Sequence, residues 1–207
     1  MPRGKFITLE GVEGVGKSTN LQFVTDWLRK QGVAFVQTRE PGGTPLAEQL
    51  RELLLSKREE VVDPTAELLM VFAARAQHLA QVIMPALERG DWVICDRFTD
   101  ATYAYQGGGR QLDRSLIALL EQTVQGDLRP DRILLLDLDP DVGLQRAART
   151  GAADRFESEQ LAFFQRVRAA YRERAAADPS RYAVIDASRP LEEVQQQLQS
   201  ELEKLIL

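Results

Sequence analysis

The chemistry-bearing stretch of this chain is Gly11-Val12-Glu13-Gly14-Val15-Gly16-Lys17-Ser18-Thr19, which satisfies G-x-x-x-x-G-K-[ST] in full. Gly11, Gly14 and Gly16 permit backbone angles and close approaches that a β-carbon blocks, so successive N–H groups can turn inward around a polyphosphate. Lys17 supplies a mobile cation for the β- and γ-phosphates of a nucleoside triphosphate, and Ser18 a hydroxyl for Mg²⁺. The helix that follows adds the partial positive charge of its N-terminus. The nine residues therefore read as an anion nest for ATP.

Two elements must hold that nest in place. Phe6-Ile7-Thr8-Leu9 reads as a buried strand before it, and Leu21, Val24 and Leu28 stripe one face of a helix after it. The same alternation recurs along the chain: aliphatic or β-branched runs at 5–10, 33–38, 91–96, 132–137 and 182–186 are separated by helical stretches. This pattern predicts an α/β fold, a five-stranded parallel sheet with helices on both faces. The runs end in polar residues: Glu10, Arg39-Glu40, Asp96-Arg97, Asp137 and Asp186. Ligands of such sheets bind beyond the carboxyl ends of the strands, so these residues are expected to line one cleft.

Helix punctuation is explicit. Thr44 as N-cap and Pro45 at the first position open a second helix, and Asp63-Pro64 opens a long third one over 64–89, where Pro85 is expected to kink or shorten it. A fourth carries Leu116, Ile117, Leu120 and Val124, and a fifth begins at Asp141. Gly151-Ala152-Ala153-Asp154 then breaks the pattern among Arg146, Arg149 and Arg155, as a hinged flap would. Residues 158–176 and the stretch after Pro190 complete the helices.

The chain has 207 residues, enough for one domain with a full core. Its formal net charge of −5 argues against a nucleic-acid polymer as partner, whereas small phosphorylated ligands remain compatible. Cys95 is the one cysteine, so it forms no intrachain disulfide and reads as a buried thiol. There is no unbroken apolar run of ~18 residues for a membrane, and the start of the chain carries no signal-peptide pattern, so a cytoplasmic protein is expected.

A phosphate loop alone leaves switch GTPases, motor ATPases, transporters and small-molecule kinases open. A guanine reader of the type Asn-Lys-x-Asp is missing, since the one asparagine is Asn20 inside the first helix. The length leaves little room for a motor's additional nucleotide sensors. A kinase of a small acceptor fits best.

Four segments then carry a closer likeness: Leu9 to Ser18, Thr38-Arg39-Glu40-Pro41-Gly42-Gly43-Thr44, Asp96-Arg97-Phe98, and Ala104-Tyr105-Gln106-Gly107-Gly108-Gly109-Arg110. With Phe72-Ala73-Ala74-Arg75 and the arginine-bearing flap, they resemble the bacterial thymidylate kinases, in that family's order. The resemblance implies the P-loop nucleoside monophosphate kinase fold in a single domain, 1–207, with a short lid at about 146–157. It implies transfer of the γ-phosphoryl of ATP to dTMP, a homodimer through long helices, and a cis bond at Glu40-Pro41.

Carried over residue by residue, the resemblance makes Gly11 to Thr19 the ATP cradle, and gives Mg²⁺ to Ser18 together with Asp96 acting through water. Arg97 and Arg51 clamp the acceptor phosphate, and Glu13 and Glu40 belong to the acceptor side. Thymine offers O4, N3–H and a methyl group; Arg75 can donate to O4, Gln106 can meet N3, and Phe72 or its neighbour Val71 supplies the apolar wall. Thr102 and Tyr105 complete the pocket, the ring crowding the place of a ribose 2′-hydroxyl. Because Val12, Glu13 and Val15 leave the loop without an arginine, the catalytic arginine falls to the lid, with Arg149 and Arg155 ahead of Arg146.

Blander readings stand beside these. Phe72 fits the apolar stripe of its helix, Asp96-Arg97 can be an ordinary strand-end ion pair, and Asp137 can replace Asp96 as the metal carboxylate. The Gly107-Gly108-Gly109 triplet can be a plain turn, and His78 reads as an exposed or capping histidine. The functional alternatives are a kinase of another nucleoside monophosphate and a nucleotide-binding module without turnover.

Overall fold

A computed structural model describes residues 3–148, 155, 156 and 159–206. The five runs become strands β1 (Phe6–Glu10), β2 (Phe35–Arg39), β3 (Trp92–Asp96), β4 (Arg132–Asp137) and β5 (Tyr182–Asp186). All are parallel, in the order β2-β3-β1-β4-β5. β1 is central and every residue in it is buried, because alternate side chains enter cores on opposite faces. Ile7 and Leu9 join the larger cluster with Leu28, Phe164 and Leu198, while Phe6 joins Val93, Cys95, Ile83 and Leu87. Cys95 is thus the buried free thiol expected of it.

Register brings the strand ends together. Leu9 lies opposite Asp96, and Arg39 lies opposite Asp96 from the other side. The backbone continues the pairing past the strands: Glu40 N–H donates to the Asp96 carbonyl at 2.9 Å and Arg97 N–H to the Leu9 carbonyl at 2.9 Å. Glu40, Asp96 and Arg97 therefore share one rim beside the loop that leaves β1.

The helices follow the predicted punctuation. α1 (Lys17–Lys30) leaves the phosphate loop directly, and α2 (Pro45–Leu55) starts at Thr44, whose hydroxyl accepts from Ala47 N–H at 3.2 Å. α3 (Pro64–His78) starts at Asp63, which accepts from Thr65 and Ala66. It neither stops early nor breaks before Pro85. A π turn, Leu79–Ile83, links it to α4 (Met84–Glu88), with Met84 N–H donating to the Leu79 carbonyl, so the widened turn absorbs the donor that Pro85 lacks.

This Pro64–Glu88 rod has the length and composition of a membrane span, yet its charged Glu67 and Arg75 are buried within the fold and its apolar residues are shared between two cores. It is a core helix by packing.

The glycine triplet is not a turn. α5 (Thr99–Thr102) runs into a π-helical segment, Tyr103–Gly109, against which α8 (Leu161–Ala177) packs. A β-carbon on Gly109 would lie 2.4 Å from the Phe163 ring, so the close approach of α8 requires glycine there. α6 (Arg114–Gln125), α7 (Pro140–Ala147) and α9 (Leu191–Ile206) complete the described helices. The proposed hinge, Gly151 to Asp154, and Arg149 lie outside the described residues.

Candidate active site

The loop is anchored by its two valines and opened by its glycines. Val12 and Val15 are buried in the main core, which turns the intervening backbone outward. Gly14, at φ 71°, approaches α7 so closely that an added β-carbon would sit 1.8 Å from the Gly143 carbonyl oxygen. Gly143 is the reciprocal half of that contact, since its own β-carbon would meet the Glu13 carbonyl at 2.4 Å. Sequence reading passed over Gly143, because it sits alone inside a helical stretch with no motif around it.

Lys17 folds back over the loop, its Nζ donating to the carbonyls of Val12 at 3.0 Å and Gly11 at 3.1 Å. Burial first, and then the neighbouring Arg97 charge, lower its pKa to about 8 against the opposing pull of Asp96, Glu13 and Glu10. An arriving polyphosphate would reverse that balance by supplying negative charge at the ammonium.

Arg97 stands in the left-handed region at φ 68°, a conformation costing about 1–3 kcal/mol for a non-glycine residue. Its surroundings hold it there. Phe98 N–H donates to buried Glu10 at 2.7 Å, and the Arg97 guanidinium donates to the Gly11 carbonyl and to Glu13, both at 2.9 Å. The guanidinium also lies 4.7 Å from the centre of the Tyr105 ring, whose hydroxyl donates to Glu13 at 2.7 Å. Glu10, which also accepts from Tyr171, has a pKa raised to about 8 by burial and by the nearby Asp100 carboxylate.

All of this opens on a cleft of about 540 Å³. Glu13, Gly14, Gly16, Lys17, Ser18 and Thr19 line its loop end. Arg51, Arg97, Asp96, Glu40 and Tyr105 line its middle, and Val71, Arg75, Thr102 and Gln106 its far end. Arg51 reaches it while donating to the Pro41 carbonyl at 2.8 Å; burial, then the charge of Arg39, lower its pKa. The Glu40–Pro41 bond is cis.

At the far end Arg75 is almost fully buried. Its Nε donates to Glu40 at 2.7 Å and one terminal nitrogen to the Thr102 hydroxyl at 2.9 Å, leaving Nη1 without a hydrogen-bond partner among the described residues. The other Glu40 oxygen lies 3.0 Å from His78 Nδ1, and His78 Nε2 lies 2.7 Å from the Thr38 hydroxyl. His78 is therefore neither exposed nor a cap: it is fully buried as the brace behind Glu40. Phe72 is also displaced from its expected place. It lies in the core with Leu68, Tyr103 and Ile117, its ring centre 4.8 Å from the Arg75 guanidinium, while Val71 reaches the cleft. The helical period decides this, since residues one apart point about 100° away from each other.

Not every strand-end residue joins the cleft. Arg39 pairs with Glu48 at the surface, Asp137 is held by Arg168 at 2.7 Å, and Asp186 by Ser188 and Arg189. Asp137 is thereby spent on an ion pair. Asp96 instead keeps a buried oxygen, Oδ1, with no hydrogen-bond partner among the described residues. That orphaned acceptor, on a residue that lines the cleft together with Ser18, suits a cation. Ser18 and Asp96 offer oxygen donors alone, a set that fits Mg²⁺ kept mainly by phosphates and water.

Of the flap arginines, Arg155 is turned away from the loop. Its Nε donates to the Leu54 carbonyl and its Nη2 to Glu67, both at 2.7 Å, because Glu67 is a fully buried carboxylate that requires cations. Arg146 lines the cleft near the loop and donates to the Ala187 carbonyl at 3.3 Å.

Comparison with known proteins agrees with this geometry. The family model described as Thymidylate kinase matches residues 9–198. The thymidylate kinase of Teredinibacter turnerae is 60% identical over 203 residues, covering 98% of this chain and 99% of that protein. That of Pseudomonas putida strain W619 is 64% identical over 190 residues, covering 92% of each. The crystal structure of thymidylate kinase from Ehrlichia chaffeensis superposes with a TM-score of 0.77 at 33% identity, covering 97% of this chain and 99% of that one. The chain belongs to the thymidylate kinase family, and with it to the phosphotransferases.

Proposed function

We propose that the cleft seats ATP and dTMP end to end and passes the γ-phosphoryl from one to the other. The observation that carries this reading is the convergence of Lys17, Arg51, Arg75 and Arg97 on one cavity. Phosphoryl transfer needs alignment of donor and acceptor and neutralisation of charge on the moving group, and convergent cations supply both.

The loop amides, the start of α1 and Lys17 hold the donor phosphates. Ser18 and, through water, Asp96 would hold Mg²⁺, which would neutralise charge on the phosphate oxygens. Arg97 and Arg51 fork the dTMP phosphate, one oxygen of which bonds to the γ-phosphorus as the bond to the β,γ-bridging oxygen breaks, giving dTDP and ADP. Unpartnered Arg75 Nη1 donates to thymine O4, Gln106 meets N3, Val71 borders the base, and Tyr105 stands against the 2′ position of the sugar. Glu13 keeps Arg97 and Tyr105 in register.

The lid supplies the remaining cation. Arg149 and Arg155 are the candidates by resemblance, Arg155 only on leaving Glu67 and the Leu54 carbonyl, and Arg146 is one by its place along the cleft. Closure would exclude water and so prevent loss of ATP to hydrolysis.

The donor and the single buried thiol suit the cytoplasm. Leu53, Leu69, Met84 and Leu119 are exposed on α2, α3, α4 and α6, and exposed apolar residues along and beside the Pro64–Glu88 rod support a homodimer. Sedimentation velocity is expected to give twice the chain mass.

The deciding experiment is a coupled ATPase assay with dTMP, dUMP, CMP and AMP as acceptors. Turnover with dTMP well above the others supports the reading. Equal rates with all four would remove the thymine pocket, and ATP binding without any acceptor turnover would leave only a nucleotide-binding module.

A further inference from the structure

We propose that Glu67 is a positioning residue that fixes which end of the Gln106 amide the nucleobase meets. The inference rests on the acceptor-site reading above and adds to it the physical origin of base choice. Glu67, on the first turn of α3, is fully buried, and one of its oxygens accepts from Gln106 Nε2 at 2.7 Å. The same carboxylate is ion-paired with Arg155 at 2.7 Å and Arg110 at 3.3 Å.

An ionised carboxylate accepts hydrogen bonds and donates none, so the Gln106 atom facing it must be the amide nitrogen. Gln106 Oε1 is then the atom left for the cleft, and it has no protein partner among the described residues. An amide without such a partner could present either end.

Arg75 lines the same cleft, and its Nη1 is a buried donor without a partner among the described residues. The far wall therefore holds one acceptor and one donor, the donor meeting a base that seats against Arg75. That pair complements an imide edge, N3–H with a C4 carbonyl, as in thymine and uracil. It opposes the cytosine edge, whose N3 accepts and whose N4 donates. Glu67 touches no substrate atom and works through Gln106, so its removal is expected to change base choice rather than phosphoryl transfer.

The test compares kcat/KM for dTMP, dUMP and dCMP in the wild type, Glu67→Gln, Gln106→Ala and the double variant. In Glu67→Gln the amide can turn over, and the dTMP:dCMP ratio is expected to fall about tenfold or more, chiefly through KM, as an imide donor loses its matched acceptor. The dTMP:dUMP ratio, set by a methyl group, and KM for ATP should both stay within about twofold. In the Gln106→Ala background, Glu67→Gln should no longer alter the dTMP:dCMP ratio, because the two residues act as one unit.

Glu67→Asp keeps the negative charge beside Arg155 and Arg110 while withdrawing the carboxylate by one methylene, and it should lower the same ratio if Glu67→Gln does not fold. An unchanged ratio in whichever variant folds, or an equal change with and without Gln106, overturns the proposal while a wild type that prefers dTMP leaves the acceptor site standing. A wild type indifferent to dTMP and dCMP overturns both.

Discussion

Arg75 and Glu40 form a buried ion pair, Nε to carboxylate oxygen at 2.7 Å, with 1% and 4% of their side chains exposed. Glu40 arrives from the end of β2 and Arg75 from the last turn of α3, so the pair ties the sheet rim to the long helix. Breaking such a pair from one side strands the other charge, at about 3–5 kcal/mol. Glu40→Ala is expected to lower Tm on the order of 10 °C by calorimetry and to raise KM for dTMP. A fall of less than about 2 °C would show that Thr102 holds Arg75 unaided.

Arg97→Ala separates the two substrates. Losing charge-assisted contacts worth about 1.5–3 kcal/mol should raise KM for dTMP by about tenfold to a hundredfold, with a change for ATP of no more than about threefold. Initial-rate kinetics with each substrate varied in turn measures both. Equal losses would move Arg97 from the acceptor to the shared machinery of the loop.

Lys17 sets an alkaline limb. Its pKa in the free protein is lowered to about 8 by burial and Arg97, so the cation that ATP requires is present below that pH and lost as pH rises through it. kcat/KM for ATP should therefore fall above pH of about 8 with a one-proton slope. kcat should hold to higher pH, because bound phosphates return the pKa upward. Coincident limbs for the two parameters would assign the titration elsewhere.

Gly143→Ala tests the contact between α7 and the loop. A β-carbon 2.4 Å from the Glu13 carbonyl is met by backbone on the other side, so the loop must shift. KM for ATP is expected to rise about tenfold, since misplacing donors by a fraction of an ångström weakens every loop contact, while the far end of the cleft keeps its preference among monophosphates. Unchanged ATP kinetics would mean that α7 yields instead.

Asp96→Asn tests the orphaned carboxylate oxygen. The Mg²⁺ concentration giving half the maximal rate should rise about tenfold to a hundredfold, the usual effect of losing an outer-shell partner, and EDTA should abolish turnover of the unaltered protein. An Asp137→Asn variant should leave the Mg²⁺ dependence in place, because Asp137 is committed to Arg168.

The sequence by itself determined the phosphate loop, the parallel sheet and the helix starts, because these depend on local properties. Glycine spacing, apolar runs and caps such as Thr44 and Asp63 act within a few residues, and so they remain visible in one dimension. The family likeness was legible for the same reason, in contiguous segments such as Thr38 to Thr44.

What only the tertiary structure decided is which isolated residues meet. Glu67 and Gln106 are 39 positions apart, and nothing near either one announces that a buried carboxylate will orient an amide. His78 reads as a surface residue until α3 brings it beneath Glu40, and Gly143 reads as a weak helix position until α7 touches the loop. Which of Val71 and Phe72 reaches the cleft turned on helix rotation, and Asp137 is kept from it by its ion pair with an arginine of α8. Long-range pairing of buried charge satisfies desolvation costs that appear only once the chain has closed on itself, and sequence spacing carries no record of them.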